Sequence, residues 1–301
     1  FGQSNNCDRE CLRSTLMRYT NAVAAHAPHN AGIIVGFRQT ENAVVVPVGA
    51  GTWQSVTALG EVQRQFLDPV SGQAAYFGLV EESGKPAVVS VRVKVVDRQV
   101  TEAEWYIGRA GMPGMQGNPA PDGTGAGPFD PANFVTNPPP PERNVPVLAR
   151  LSRDSLLGVA NSYFDAITTH EPAVMMIHPT CKRIENGRLI TGRELPAGSD
   201  DGYQGRTNCS SGIRTTGSLN IAVVAARRYP VVDEQQQVVM GFGVFIRNPD
   251  SQNRRLGLSE FFYVEDGRIS EVHAAMFYAP PDLPLPNWPP YEGNFPLPPP
   301  R

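Results

Sequence analysis

Apolar positions near the start of the chain recur with helical spacing. Leu12, Leu16, Tyr19, Val23 and His26 follow one another at intervals of three and four, so they lie on one stripe of a helix. Leu156, Ala160, Tyr163, Ile167 and His170 trace the same stripe later in the chain. Pro28 and Pro172 end the two helices, and Ser152 and Ser155 offer capping hydroxyls at the start of the second. The pattern then changes to strand-like runs. These are VVSVRVKVVD and VTEAEWYI after the first helix, and VVMGFGVFI, LSEFFYVED and ISEVHAAMF after the second, with turns at 97–98 and 265–267 joining the last two strands of each set as a hairpin. A long helix followed by an antiparallel sheet predicts an α+β unit, formed twice.

The two units are copies. Tyr19, His26, Pro28, Glu41 and Asn42 recur as Tyr163, His170, Pro172, Glu185 and Asn186, all 144 positions on. Asp68, Phe77 and Gly78 recur as Asp233, Phe242 and Gly243 at 165, and Ser90 and Glu102 as Ser259 and Glu271 at 169, so the second copy carries an insertion of 21 residues and then one of 4. Positions that stay alike serve the fold. Positions that differ are where the copies divide their labour.

Between the copies, 111–147 is rich in glycine and proline and includes four prolines in a row from Pro138, which predicts a semi-rigid linker, either setting a preferred separation or wrapping across one copy. Residues 280–301 are again proline-rich but keep Trp288, Tyr291 and Phe295, which predicts an arm packed on the body. The expected organisation is a first domain over 7–110, the linker over 111–147, a second domain over 148–279 and the arm over 280–301. A formal net charge of −3 gives no basic excess, which argues against a nucleic-acid partner. No apolar run approaches the roughly 20 residues of a membrane-spanning helix, which argues against membrane insertion. The start at Phe1 suggests a removed signal peptide. Cys181 and Cys209 flank the insertion, where a bridge would pin the excursion, and Cys7 and Cys11 lie one helical turn apart. Four cysteines allow three pairings. Disulfides imply a secreted or periplasmic protein. No ligand spacing typical of zinc occurs, and no phosphate-binding or dinucleotide motif has its strand–helix setting, so neither a metal nor a cofactor is expected.

The helix with its RYxxA segment, the strand ending near Glu-Asn and the closing DGRISEVHAAMF resemble the nuclear transport factor 2-like superfamily, which includes SnoaL-type cyclases, limonene epoxide hydrolases and ketosteroid isomerases. More narrowly, the tandem arrangement resembles a poorly characterised secreted two-domain group. The resemblance implies two cone-shaped domains, each a strongly curved sheet wrapped around its helix, with an apolar cavity suited to a hydrophobic small molecule. In ketosteroid isomerases a helix tyrosine and a protonated strand acid form an oxyanion hole. Tyr163 and Tyr19 match the place of that tyrosine, Glu260 falls near that of the acid, and Glu185 or Asn186 falls near that of the base.

Each candidate also has a structural reading. Tyr163 sits on an apolar stripe shared by both copies, as a core tyrosine would. Glu260 replaces Val91 in the run LSEFFYV, so it needs water or a partner such as Arg183, Arg228 or His273, and burial would raise its pKa. Aligning VTEAEWYI with ISEVHAAM puts Glu104 against His273, and groups Ile269, Glu271 and His273 on one strand face. If that face looks into the cone, His273 is the general acid or base. If it does not, His273 is a surface histidine. The expected catalytic set is His273, Tyr163 and Glu260. Arg228, Tyr229, Glu185, His178, Trp53, Trp105 and Glu104 are candidate ligand contacts.

The leading expectation is a cofactor-free lyase or isomerase acting on a hydrophobic aromatic or polycyclic compound, of the lignin-derived kind used by some superfamily lyases. The alternative is a non-catalytic secreted ligand carrier or protein-interaction module, or one that self-assembles into a homo-oligomer through the linker and arm.

Overall fold

The computed structural model describes residues 6–192, 207–214 and 216–288. The N-terminal five residues, most of the insertion, and the part of the arm that holds Tyr291 and Phe295 lie outside them. Helix α1 (Arg9–Ala24) begins at Asp8, whose carboxylate accepts from the Cys11 amide at 2.9 Å. It is followed by β1 (Ile33–Glu41), β2 (Val44–Val46), the short α2 (Thr52–Ser55), β3 (Val56–Asp68), β4 (Gln73–Glu82), β5 (Lys85–Val96) and β6 (Gln99–Gly108). A short helix α3 (Pro131–Thr136) lies in the linker. Helix α4 (Arg153–Thr169), capped by Ser152, opens the second copy. Then come β7 (Ile177–Glu185), β8 (Arg188–Thr191), α5 (Thr216–Leu219), β9 (Ile221–Asp233), β10 (Val238–Arg247), β11 (Leu256–Glu265) and β12 (Arg268–Tyr278).

The sheets have the same strand order, β2-β1-β6-β5-β4-β3 and β8-β7-β12-β11-β10-β9. In each, the first long strand runs parallel to the last and the other pairs are antiparallel. Each sheet curls around its own helix, and the two interiors form separate cores, one with Tyr19, Trp53 and Trp105, the other with Tyr163, Phe164 and Phe262. Register shifts interrupt β3 and β9 and the start of β6 and β12, as bulges must where a sheet bends this sharply.

The outer faces of the sheets pack back to back in a third core. Phe66 and Phe77 each meet Phe261, at centroid distances of 4.7 and 4.8 Å, Tyr106 stacks on Phe242 at 5.1 Å, and Phe134 of α3 packs on Phe77. The joint has the reciprocity of an isologous dimer fused into one chain. Arg9 at the start of α1 clamps Asp233 at the end of β9 with two bonds of 2.8 Å, and Arg153 at the start of α4 clamps Asp68 at the end of β3 at 2.9 and 2.7 Å. Asp233 also accepts from the Leu67 amide and Asp68 from the Val232 amide, both at 2.9 Å. The equivalent hydroxyls of Ser90 and Ser259 meet each other at 2.7 Å.

The linker is a strap across both copies. Arg64 donates to the Pro139 and Pro140 carbonyls, and Arg143 to those of Gln236 and Val264. The described part of the arm crosses back to the first copy, where the Trp288 indole donates to Thr40 at 3.0 Å beneath Arg38 and Arg92. Disulfides join Cys7 to Cys11 and Cys181 to Cys209, a chemistry that fits an oxidising compartment. Among the described residues no helix is long and apolar enough to cross a membrane.

Because the joint is reciprocal, Asp68→Ala and Asp233→Ala should destabilise the protein to a similar extent. Each removes the buried counter-charge of one guanidinium, at a cost of about 3 kcal/mol, the lower end of the range for broken buried pairs because both arginines keep some contact with water and Arg9 keeps the half-exposed Glu142 at 3.8 Å. Urea unfolding of the two variants checks this.

Candidate functional site

The first cone is plugged. Tyr19 donates to Gln39 Oε1 at 2.8 Å and accepts from the Trp105 indole at 3.0 Å, while the Trp53 indole donates to the same Gln39 oxygen at 2.9 Å. The Gln39 amide nitrogen donates to Glu41 at 2.9 Å and Thr52 at 3.0 Å. Every polar atom of this cluster facing the interior has a partner, and the two indoles fill the space.

The second cone keeps the tyrosine and changes its neighbours. At the offsets of the repeat, Arg183 replaces Gln39, Glu260 replaces Val91 and Ala274 replaces Trp105, while Tyr163 and Glu185 are kept. Ala274 pairs with Glu185 on one side and Glu260 on the other, so the missing indole leaves space between two carboxylates. The result is a cavity of about 120 Å³ lined by Tyr163, Arg183, Glu185, Glu260 and Arg247, with apolar walls from Ile167, Leu258, Met276 and others. The space is of the order of a single ring, since an enclosed apolar cavity of roughly 150 Å³ holds benzene.

Arg183 donates to the Tyr163 hydroxyl at 3.2 Å and its Nε lies 3.2 Å from Glu185. Glu260 is 3 % exposed and its Oε2 has no hydrogen-bond partner. Burial pushes the Glu260 carboxyl up to about 8, against the opposing pull of Arg183; the nearby Glu185 charge adds to the rise, and the Tyr163 hydroxyl offsets a little of it. At neutral pH Glu260 therefore carries its proton. Burial also raises the Tyr163 phenol far above its ordinary value, so it remains a neutral donor. The Cys181–Cys209 bridge ties the insertion to β7, and Gly212 and Ile213, just past Cys209, line the cavity.

Of the expected catalytic set, the structure brings Tyr163 and Glu260 together and leaves His273 out. The bulge at the start of β12 breaks the alternation: Ile269 and Val272 both face the second core, so His273 faces outward. There it packs on Phe77 and Tyr263, with its Nε2 2.8 Å from Glu271, and burial lowers its pKa while Glu271 opposes that shift. The same shift turns Glu104 outward, where Arg228 grips it with bonds of 2.9 and 2.5 Å and Arg92 adds a third at 3.1 Å. Arg228 and Glu104 thus belong to the joint. Tyr229 donates to Asn161 at 2.8 Å and His178 reaches the Glu265 carbonyl at 3.1 Å, both away from the cavity lining. Trp53 and Trp105 fill the other cone. Glu185 is the one expected ligand contact found in the cavity. Arg247 and Ala274 were missed, although the repeat offsets that pair them with Glu82 and Trp105 mark both as changed positions. Among the described residues no cluster of metal-ligating side chains occurs.

Helix, curled sheet and strand order match in both halves. The chain is a fused pair of copies of one α+β fold. A family model described as a domain of unknown function, DUF8021, matches residues 149–276, the second copy. The chain is similar to a crystal structure from Kribbella flavida DSM 17836 provisionally described as a ketosteroid isomerase, at 18% identity and a TM-score of 0.30, over 36% of this chain and 84% of that one. No curated protein matches the chain.

The raised Glu260 pKa gives a stability signature. Its folded value lies above its unfolded one, so its contribution is fully present below about pH 4.5 and is lost as the pH rises through about 8. Glu260→Gln should therefore gain in melting temperature relative to the unsubstituted protein between pH 5 and 8.5. A difference that stays constant with pH, measured by calorimetry, would contradict this assignment.

Proposed function

We propose that the second cone is an acid–base site that carries out lyase or isomerase chemistry on a small hydrophobic, preferably aromatic, compound bearing a reactive oxygen, without a cofactor. The observation that supports it is Glu260, a carboxylic acid kept protonated at neutral pH in the cavity wall beside Arg183 and Tyr163. A buried proton there has no structural use, since the first copy builds the same strand with valine. In this reading Glu260 gives its proton to the substrate oxygen as negative charge develops, and Arg183 with the Tyr163 hydroxyl stabilises that charge. Glu185, held by Arg183, receives the proton leaving substrate carbon. Glu185 and Glu260 stand on strands two spacings apart, roughly 10 Å between backbones, which leaves room for a substrate between their side chains. The disulfides support work in a secreted or periplasmic setting.

The test is turnover of a panel of monocyclic aryl β-hydroxy ketones and β,γ-unsaturated ketones. Glu260→Gln should lower kcat at least about 100-fold with the fold intact, as removal of a positioned acid does. The rate of the unsubstituted protein should fall as the pH rises through about 8, where Glu260 loses its proton. Ala274→Trp, which recreates the plug of the first cone, should abolish ligand binding and leave circular dichroism unchanged. Ligand binding without turnover of any panel member would favour the carrier reading instead.

A further inference from the structure

One charge of the cavity has no part in that chemistry. Arg247 ends β10, lines the cavity and is 9 % exposed. Its Nε donates to the Arg254 carbonyl at 3.0 Å, and among the described residues no carboxylate forms an ion pair with it. The first copy shows the same place when it has only to be closed. The counterpart of Arg247 is Glu82, which takes bonds of 2.5 and 2.9 Å from Arg109 and 2.7 Å from Ser55. The counterpart of Arg109 is Tyr278, which also lines the cavity. Where the first copy has a neutralised pair, the second has a cation and a phenol.

The charges of the wall then add up simply. Arg183 is balanced by Glu185 at 3.2 Å. Glu260 is neutral below about pH 8. One positive charge remains, on Arg247, and burial acts against it, lowering its pKa. Arg247 lies six residues along β10 from Gly241, the residue opposite Glu260, so the uncompensated cation and the proton donor stand at different ends of the wall.

We propose that the ligand of this cavity is a small carboxylate, its anionic group held by Arg247 and its apolar body directed toward Tyr163 and Glu260. Joined to the acid–base reading above, on which it rests for the reacting end, this makes the substrate an oxygen-bearing monocyclic or short-chain acid. Arginine suits the role because its planar fork matches a carboxylate with two parallel bonds. An anion also supplies the counter-charge that no described carboxylate gives Arg247.

The experiment is calorimetric titration at pH 6 with two probes of one shape, benzoate and benzamide. The unsubstituted protein should bind benzoate at least about tenfold more tightly, the difference between charge-assisted and neutral hydrogen bonds. Arg247→Gln should bind the two alike and Arg247→Lys should keep a preference for benzoate. Glu260→Gln, which removes the proposed acid, should keep the full preference. Absence of benzoate binding, equal binding of the two probes by the unsubstituted protein, or a preference that survives in Arg247→Gln would each overturn the proposal. The unsubstituted protein alone decides the matter if Arg247→Gln fails to fold. A preference that tracks Arg247 while Glu260→Gln leaves turnover unchanged would sink the acid–base reading and spare this one, and the reverse result would do the opposite.

Discussion

A buried carboxylate needs donors to replace the water it has lost, and Asp68 and Asp233 each take an arginine and a backbone amide from the opposite half of the chain. Everything else in the architecture follows from that exchange. The helix starts of one copy are tied to the strand ends of the other, so the outer faces of the sheets are pressed together and become core. Strands that would be solvated on one side are buried on both. Tyr106, Phe242 and Phe261 fill the joint, and the interior of each cone is the part of the molecule left free to vary.

The two interiors act as an internal control, since they share a backbone plan. In the first, Tyr19, Gln39, Trp53, Trp105 and Thr52 satisfy one another, and a fully satisfied polar cluster rigidifies a core. In the second, the same tyrosine faces an arginine and two carboxylates around a space where an indole would be. The shared tyrosine is therefore a scaffold residue in one copy and the wall of a cavity in the other. What distinguishes them is the set of neighbours, which a reading of Tyr163 by itself does not supply.

Much of the plan was legible in the sequence because it rests on periodicity. The two stripes through Tyr19 and Tyr163, the hairpin turns and the constant offsets give the helices, the last strands and the duplication. The cysteine-flanked insertion is likewise a local feature. The position of His273 was not legible, for a definite reason: a bulge adds one residue to the strand and exchanges its faces beyond that point, and no local residue type announces it. Glu104 was misplaced for the same cause, and Arg228 because a sheet back covered by another sheet carries buried charges that look like site residues. The comparison that singled out Glu260, with Val91, was made between copies and did not depend on which face the strand presents.

That comparison also says why the unusual charges of the second cone are tolerated. A carboxyl held neutral and an arginine without a counter-charge among the described residues are both unfavourable burials, and each occupies a position where the first copy has a harmless solution, valine at 91 and the Glu82–Arg109 pair. The fold itself does not require either charge. Local rules broken in one copy and kept in its twin point to a demand from outside the fold, and a ligand with an acceptor at one end and an anion at the other would satisfy both. The joint makes such a departure affordable: the reciprocal Arg–Asp clamps and the shared aromatic core stabilise the second sheet from behind, where the cavity does not reach.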